Sequence, residues 1–359
     1  MSDIEKKSKA RRISLEIIRI VAPCTMIYGH SGVHGFEVFR TAESEFFWLF
    51  VMFMDMITKA TVPLFFAVSG ALLLKKDESI KDLFLKRILR YGVIIVFFSF
   101  IYYVRLVIMN PEYGFSIKYF IKCIYEAPFV TPFWFLYYYM VLLLTLPILR
   151  AVVKSMPMEG YILLTGIALT MSWVKVPEVL FGFSKSYLYF SVLTINFLYP
   201  LMGHWIANVL PEHKEKWFSG RARALMGIAL ILNYGFLIWM NKIEMKSVPM
   251  SELSGDYFDQ FQFISTVAVL YFVIYFWDIK KIHVSDRMAR VIQYIGSCGL
   301  AIYLFENMFR DTFARFYDFA NSQIGKYAMT IPYIMGITGA GILISTIWRR
   351  IPILNRLKL

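Results

Sequence analysis

The sequence predicts an all-α membrane protein: a polytopic helical bundle of about ten transmembrane helices with both termini in the cytoplasm. Three observations predict it. Hydrophobic residues make up 58% of the 359 and charged residues only 18%, against about 45–50% and about 25% in an ordinary soluble domain. The excess falls in runs of about 18–25 residues, long enough to cross a hydrocarbon core as helix. Lys and Arg gather in alternate connecting segments, which gives the bundle an orientation.

The first apolar run covers about 13–31 and follows a basic tail, residues 1–12. The second, about 46–74, is long and interrupted by Asp55, Lys59 and Pro63. Further runs lie at about 86–108, 132–154, 160–176, 187–208, 223–241 and 260–278. The ninth, about 291–310, is diluted by Gly296, Ser297 and Gly299 and contains Glu306. The tenth, about 328–348, leads into a second basic tail, residues 349–359. There Arg349, Arg350, Arg356 and Lys358 alternate with Ile and Leu, as suits an interfacial anchor or a solvated topology signal.

The Lys and Arg surplus lies in the two tails and in the loops after the second, fourth, sixth and eighth runs. That places both termini in the cytoplasm. No stretch outside the runs could fold as a separate soluble domain, so 1–359 reads as a single transmembrane domain of the cell membrane, passing through it many times. The apolar segment behind the basic N-terminus has no small-residue cleavage site and reads as a span, not a signal peptide. No internal repeat is visible, which argues against a two-fold transporter architecture.

The net charge of +13 does not imply nucleic acid, because the basic residues cluster at span ends. Cys24, Cys123 and Cys298 are widely separated and without CxxC spacing, so they predict neither a disulfide framework nor a metal site. His34, His204, His213 and His283 have no metal-ligand spacing either.

Ionisable groups at membrane depth are costly and usually face a cavity with a task. The first span carries Glu16, Arg19 and His30. Arg19 and His30 are separated by three turns plus roughly 20°, so they share a face about 16 Å apart along the axis. Glu16 sits one turn below Arg19 and can pair with it, and Pro23 between them can bend the helix. A snorkelling Glu16–Arg19 pair at one boundary and an interfacial His30 at the other are the plainer readings. In the second span Pro63 and the Ser69-Gly70 pair permit a kink and close helix approach. Arg87 and Arg90 are neighbours at the cytoplasmic start of the third span, where a helix N-terminus and two guanidiniums suit a phosphate. They also suit plain positive-inside topology. Glu306 and Asn307 fall near the outer end of the ninth span, at about the depth of His30, and Asp55 lies in the same half. A carboxylate beside a histidine fixes its tautomer and raises its basicity.

Together these residues resemble the acyltransferase-3 family of integral membrane acyltransferases. The resemblance rests on Arg19 with His30, Val62-Pro63-Leu64-Phe65-Phe66 followed by Ser69-Gly70, the Arg87 and Arg90 pair, Trp134-Phe135-Leu136, and Gly296-Ser297 ahead of Ile302-Tyr303-Leu304. It spans residues 11 to about 310 and is closest in character to the stand-alone surface-polysaccharide O-acetyltransferases, without the extra periplasmic domain some members carry. It implies O-acetylation: transfer of an acyl group, acetyl first among them, from acyl-CoA to a cell-envelope glycan or lipid-linked saccharide. No permanently bound cofactor is implied. The essential histidine carries over to His30, the helix-1 arginine to Arg19 and the paired arginines to Arg87 and Arg90. Two positions depart. An aspartate common three residues before the arginine is Glu16 here, and a histidine often found after the late Tyr-Leu is Glu306.

The expected site therefore has His30, Arg19, Glu16 and Glu306 at the chemistry and Arg87, Arg90 and Ser69 at the acyl-CoA. His30 acts as general base on an acceptor hydroxyl or carries the acyl group covalently, the base being preferred. The alternative is a transporter or flippase exporting a glycan or lipid. A glycerolipid acyltransferase is disfavoured because no H-x-x-x-x-D pattern follows His30 or His34.

Overall fold

The computed structural model describes residues 12–126, 128–181, 194–355 and 357, and among these it is helical throughout, with turns and short 3-10 and π segments between helices. The longer helices are α1 (Ile13–Gly29), α2 (Glu45–Lys59), α3 (Thr61–Leu73), α4 (Leu89–Met109), α5 (Ile117–Glu126), α6 (Trp134–Ser155), α7 (Met158–Ser172), α8 (Ile195–His204), α9 (Gly220–Glu244), α10 (Asp256–Ile274), α11 (Asp286–Ser297), α12 (Gly299–Ala314) and α13 (Thr330–Arg350). Among the described residues, six helical stretches are long and apolar enough to cross a membrane, and α11 with α12 adds a seventh if its 57° bend lies within one span. Each of the ten expected runs coincides with helix. The runs at α1, α7 and α8 are the short ones, and residues 187–193 of the sixth run lie outside the described residues, as do residues 1–11 of the basic tail.

Two breaks follow directly from the sequence. The second run divides at Ala60 into α2 and α3. Pro63 cannot donate to a preceding turn, so it is accommodated within the first turn of a new helix. The ninth run divides at Cys298, between the glycines that dilute it. α1, by contrast, runs unbroken through Pro23.

α1 lies at the centre of the bundle, touching α3, α11, α12 and α13. Leu15, Ile18, Ala22 and Ile27 on it are almost fully buried. Two close approaches set this packing. α8 lies against α3 so tightly that a Cβ on Gly203 would fall 1.8 Å from the Ala67 carbonyl oxygen, and one on Gly70 would fall 2.0 Å from that of Pro200. α11 meets α1 at Gly296, where a Cβ would fall 2.4 Å from a carboxylate oxygen of Glu16. The small residues thus let backbone meet backbone, which favours helix association in lipid, where apolar burial gives little driving force.

One expectation is corrected. Arg87 and Arg90 do not stand at a helix N-terminus. The helix starts at Ile80, capped by the Ser79 hydroxyl, and passes through a π turn, Phe84–Ile88, into α4. The arginines lie two turns or more inside, so the favourable end of the helix dipole is not at their side chains. The physical reason is the Ser79–Asp82 cap, which starts the helix ahead of the apolar run.

Candidate functional site

α1 supplies both ends of the site. Near its start, Arg19 Nη1 donates to the two Glu16 carboxylate oxygens at 3.0 and 3.1 Å. A cavity of about 650 Å³ opens beside this pair. Its wall holds Arg12, Arg19, Lys76, Arg87, Arg90 and Arg349, together with Glu16 and Ser69. The Ser69 hydroxyl donates to the Phe65 carbonyl at 2.8 Å and so faces its own helix first.

The cations differ in how far the protein already satisfies them. Arg12 is paired with Asp278, which also accepts from the Ser14 hydroxyl at 2.9 Å. Arg87 Nε donates to Glu78 Oε2 at 2.9 Å, and Arg150 Nη2 reaches the same oxygen at 3.1 Å. Partial burial works to raise Glu78, but the bonds from Arg87 and Arg150 outweigh it and hold this carboxyl below the usual range. Burial, then the neighbouring Arg87, pull the Lys76 ammonium below its usual range. Arg90 Nε is buried and has no hydrogen-bond partner among the described residues. Buried donors are almost always paired, and Arg90, which lines the cavity, leaves this one unmet.

The far end is small. A cavity of about 50 Å³ is bounded by His30, Met26, Val62, Pro132, Trp134, Phe65, Phe135 and Tyr303. Phe65, Phe135 and Tyr303 also bound the large cavity. One aromatic wall therefore lies between the arginine chamber and the histidine. It is braced: the Tyr303 hydroxyl donates to the Pro132 carbonyl at 2.7 Å, and the Phe135 and Tyr303 rings meet edge to face at 5.3 Å.

His30 caps the C-terminal end of α1. Its Nδ1 lies 3.2 Å from Glu306 Oε1 of α12. In the neutral imidazole an ionised Glu306 selects the tautomer in which Nδ1–H donates and Nε2 carries the lone pair. Glu306 is 1% exposed, and Arg310 one turn on donates from Nη2 to its other oxygen at 2.9 Å while Nε shares Oε1. A buried carboxylate held by charged donors on both oxygens is compensated rather than stranded. Asp55, the other candidate, is turned elsewhere: it accepts from the Tyr28 hydroxyl at 2.8 Å, and that hydroxyl also meets Tyr327 at 2.9 Å.

The predicted residues thus separate into two groups. Glu16, Arg19, Ser69, Arg87 and Arg90 share the large cavity, and His30 with Glu306 forms the far pair. Sequence reasoning missed Arg12, Lys76, Arg349 and Arg310. Arg310 was legible as an i, i+4 partner of Glu306, whereas the other three are hidden among ordinary topology charges.

Set against known proteins, residues 12–350 match the sequence model of a family described as an acyltransferase domain. No curated protein and no solved structure matches.

Proposed function

The chain belongs to the acyltransferase-3 family and is a membrane acyltransferase, and from that premise we propose that it moves an acetyl or similar short acyl group from acyl-CoA to a hydroxyl of a cell-envelope glycan or lipid-linked saccharide. In this reading the protein lies in the cell membrane with both termini cytoplasmic. The arginine chamber takes the anionic nucleotide end of acyl-CoA from the cytoplasm. The pantetheine arm reaches past Phe65, Phe135 and Tyr303, and the thioester stands at His30.

The observation that carries this reading is the shared aromatic wall. A wide, cationic space and a narrow space holding one histidine meet at the same three side chains, which suits a ligand with a bulky anionic head and a slender reactive tail. The unmet Arg90 donor supports an anion at the wide end.

The chemistry needs no covalent intermediate. His30 Nε2 accepts the proton of the acceptor hydroxyl as its oxygen attacks the thioester carbonyl. The C–S bond breaks, and the imidazolium returns the proton to the departing thiolate. Glu306 at Nδ1 steadies the tautomer that this requires.

The test is acyl transfer by the purified protein from labelled acetyl-CoA. His30→Ala should all but abolish transfer, by roughly 10²–10⁴-fold, while leaving expression and CoA binding intact; full activity in that variant would remove the base. Envelope glycan mass spectrometry with and without the gene should show a lost acyl mass, and an unchanged glycan would remove the acceptor class.

A further inference from the structure

Nothing in the motif pattern assigns a role to Arg310, yet it is the side chain that holds Glu306. We infer that Arg310 is a positioning residue for His30, acting through Glu306; the inference rests on the reading of His30 as the base and adds to it the device that orients it.

Three geometric facts carry this. Glu306 is buried to 1% exposure and is the carboxylate that His30 Nδ1 meets. Arg310 donates to both of its oxygens, through Nε and Nη2, and so fixes the plane of the carboxylate as well as its place. Arg310 is not among the residues bounding either cavity, so it acts on the donor only through Glu306.

The surrounding elements make the arrangement rigid. The Tyr102 hydroxyl on α4 donates to the Leu304 carbonyl at 3.0 Å, tying α12 to α4 just before Glu306. Arg105 of α4 lies 3.8 Å from Asp311, beside Arg310 on the same helix. Asp311 itself points to solvent, whereas Arg310 turns back one turn to Glu306. A buried carboxylate with a single histidine partner could rotate about its terminal torsion, which is broad. The two bonds from Arg310 remove that freedom and keep Oε1 aimed at Nδ1. The imidazole, which borders the small cavity, is then held in one orientation towards it.

The inference predicts a particular pattern among variants. Arg310→Gln should lower kcat roughly 10–100-fold, the usual effect of removing an orienting partner of a functional histidine. The KM for acyl-CoA should not change, because the arginine chamber is untouched. Glu306→Gln should lower kcat by at least as much. The double variant Glu306→Gln with Arg310→Gln should be no slower than Glu306→Gln alone, since Arg310 has no other route to His30. Arg310→Lys should recover part of the rate by restoring one charged donor. Unchanged kcat in Arg310→Gln would overturn the inference, and so would effects that multiply in the double variant.

A second measurement keeps this separate from the question of whether His30 is the base. Diethyl pyrocarbonate labels histidine without turnover, and the extent at each site is read by peptide mass spectrometry. In Arg310→Gln the labelling rate at His30 should change, because an imidazole whose carboxylate partner is free to rotate no longer holds one orientation in the small cavity. The rate at His34, whose nearest aromatic neighbour is Tyr317, serves as the internal standard and should not move. If His30 labelling follows Arg310 but His30→Ala remains active, the coupling stands and the base assignment falls. If labelling ignores Arg310, the coupling itself is wrong, whatever the activity of His30→Ala.

Discussion

The two ends of α1 solve opposite problems. At its start, cations crowd a space of about 650 Å³, and Arg19, Arg12 and Arg87 are already answered by Glu16, Asp278 and Glu78. At its end, a single imidazole faces a space of about 50 Å³ and is aligned by one buried carboxylate. The wide end has many replaceable contacts and suits binding. The narrow end has one reactive group with a fixed orientation and suits chemistry. The difference teaches where to expect redundancy: many charges can share the work of holding an anion, whereas on the proposed reading a single nitrogen takes the proton.

That contrast predicts a split in kinetics. His30→Ala should cost roughly 10²–10⁴-fold in kcat, the usual contribution of general base catalysis, with acyl-CoA binding retained. Arg87→Ala with Arg90→Ala should act at the other end: a KM for acyl-CoA raised roughly 10–100-fold, at about 1.5–3 kcal/mol for each lost hydrogen bond to a charged group, softened by the remaining cations. Michaelis constants measured for both variants decide the matter. A KM that ignores the arginines would break the division between the ends.

The contrast was partly legible in the sequence. Gly296, Ser297 and Gly299 marked the ninth run as diluted, and the chain bends there at Cys298. Pro63 marked the second run, and the break falls three residues earlier, where the proline can occupy a first turn. Glu16 and Arg19 pair as their spacing allows. The meeting of His30 with Glu306 was not legible, because 276 positions separate them and only the packing of α12 on α1 brings them together. Spacing alone left Asp55 an equal candidate. Lys76 and Arg349 were hidden for another reason: at a span end, a cation that faces a cavity and one that only sets topology have the same sequence signature.

The scaffold offers a smaller effect that tests whether both ends depend on one helix packing. Gly203→Ala should destabilise the protein by about 1–3 kcal/mol, because the new methyl meets the Ala67 backbone and cannot be accommodated by a rotamer change. Gly227→Ala in α9, where nothing lies within 4 Å, should be neutral or slightly stabilising. Thermal unfolding in detergent separates the two. Equal melting temperatures would mean that the α3–α8 contact is looser than it stands here.

The smallest expected effect belongs to Lys76 and sharpens the wide end alone. Burial and the nearby Arg87 pull its ammonium below the ordinary lysine range. An anion needs the protonated form, so in the free protein that form is lost at a lower pH than for a solvated lysine. CoA affinity should therefore decline several-fold as pH rises from about 7 towards 10, with the decline set by the lowered value. Lys76→Met should bind CoA more weakly at neutral pH and lack this alkaline limb. Lys76→Arg should keep the affinity and also lack the limb, because a guanidinium stays charged throughout. Titration calorimetry with CoA at several pH values reads all three. If Lys76→Arg retained the alkaline decline, another group would be titrating, and the phosphate ends of the ligand would have to be sought among Arg12, Arg90 and Arg349 without it.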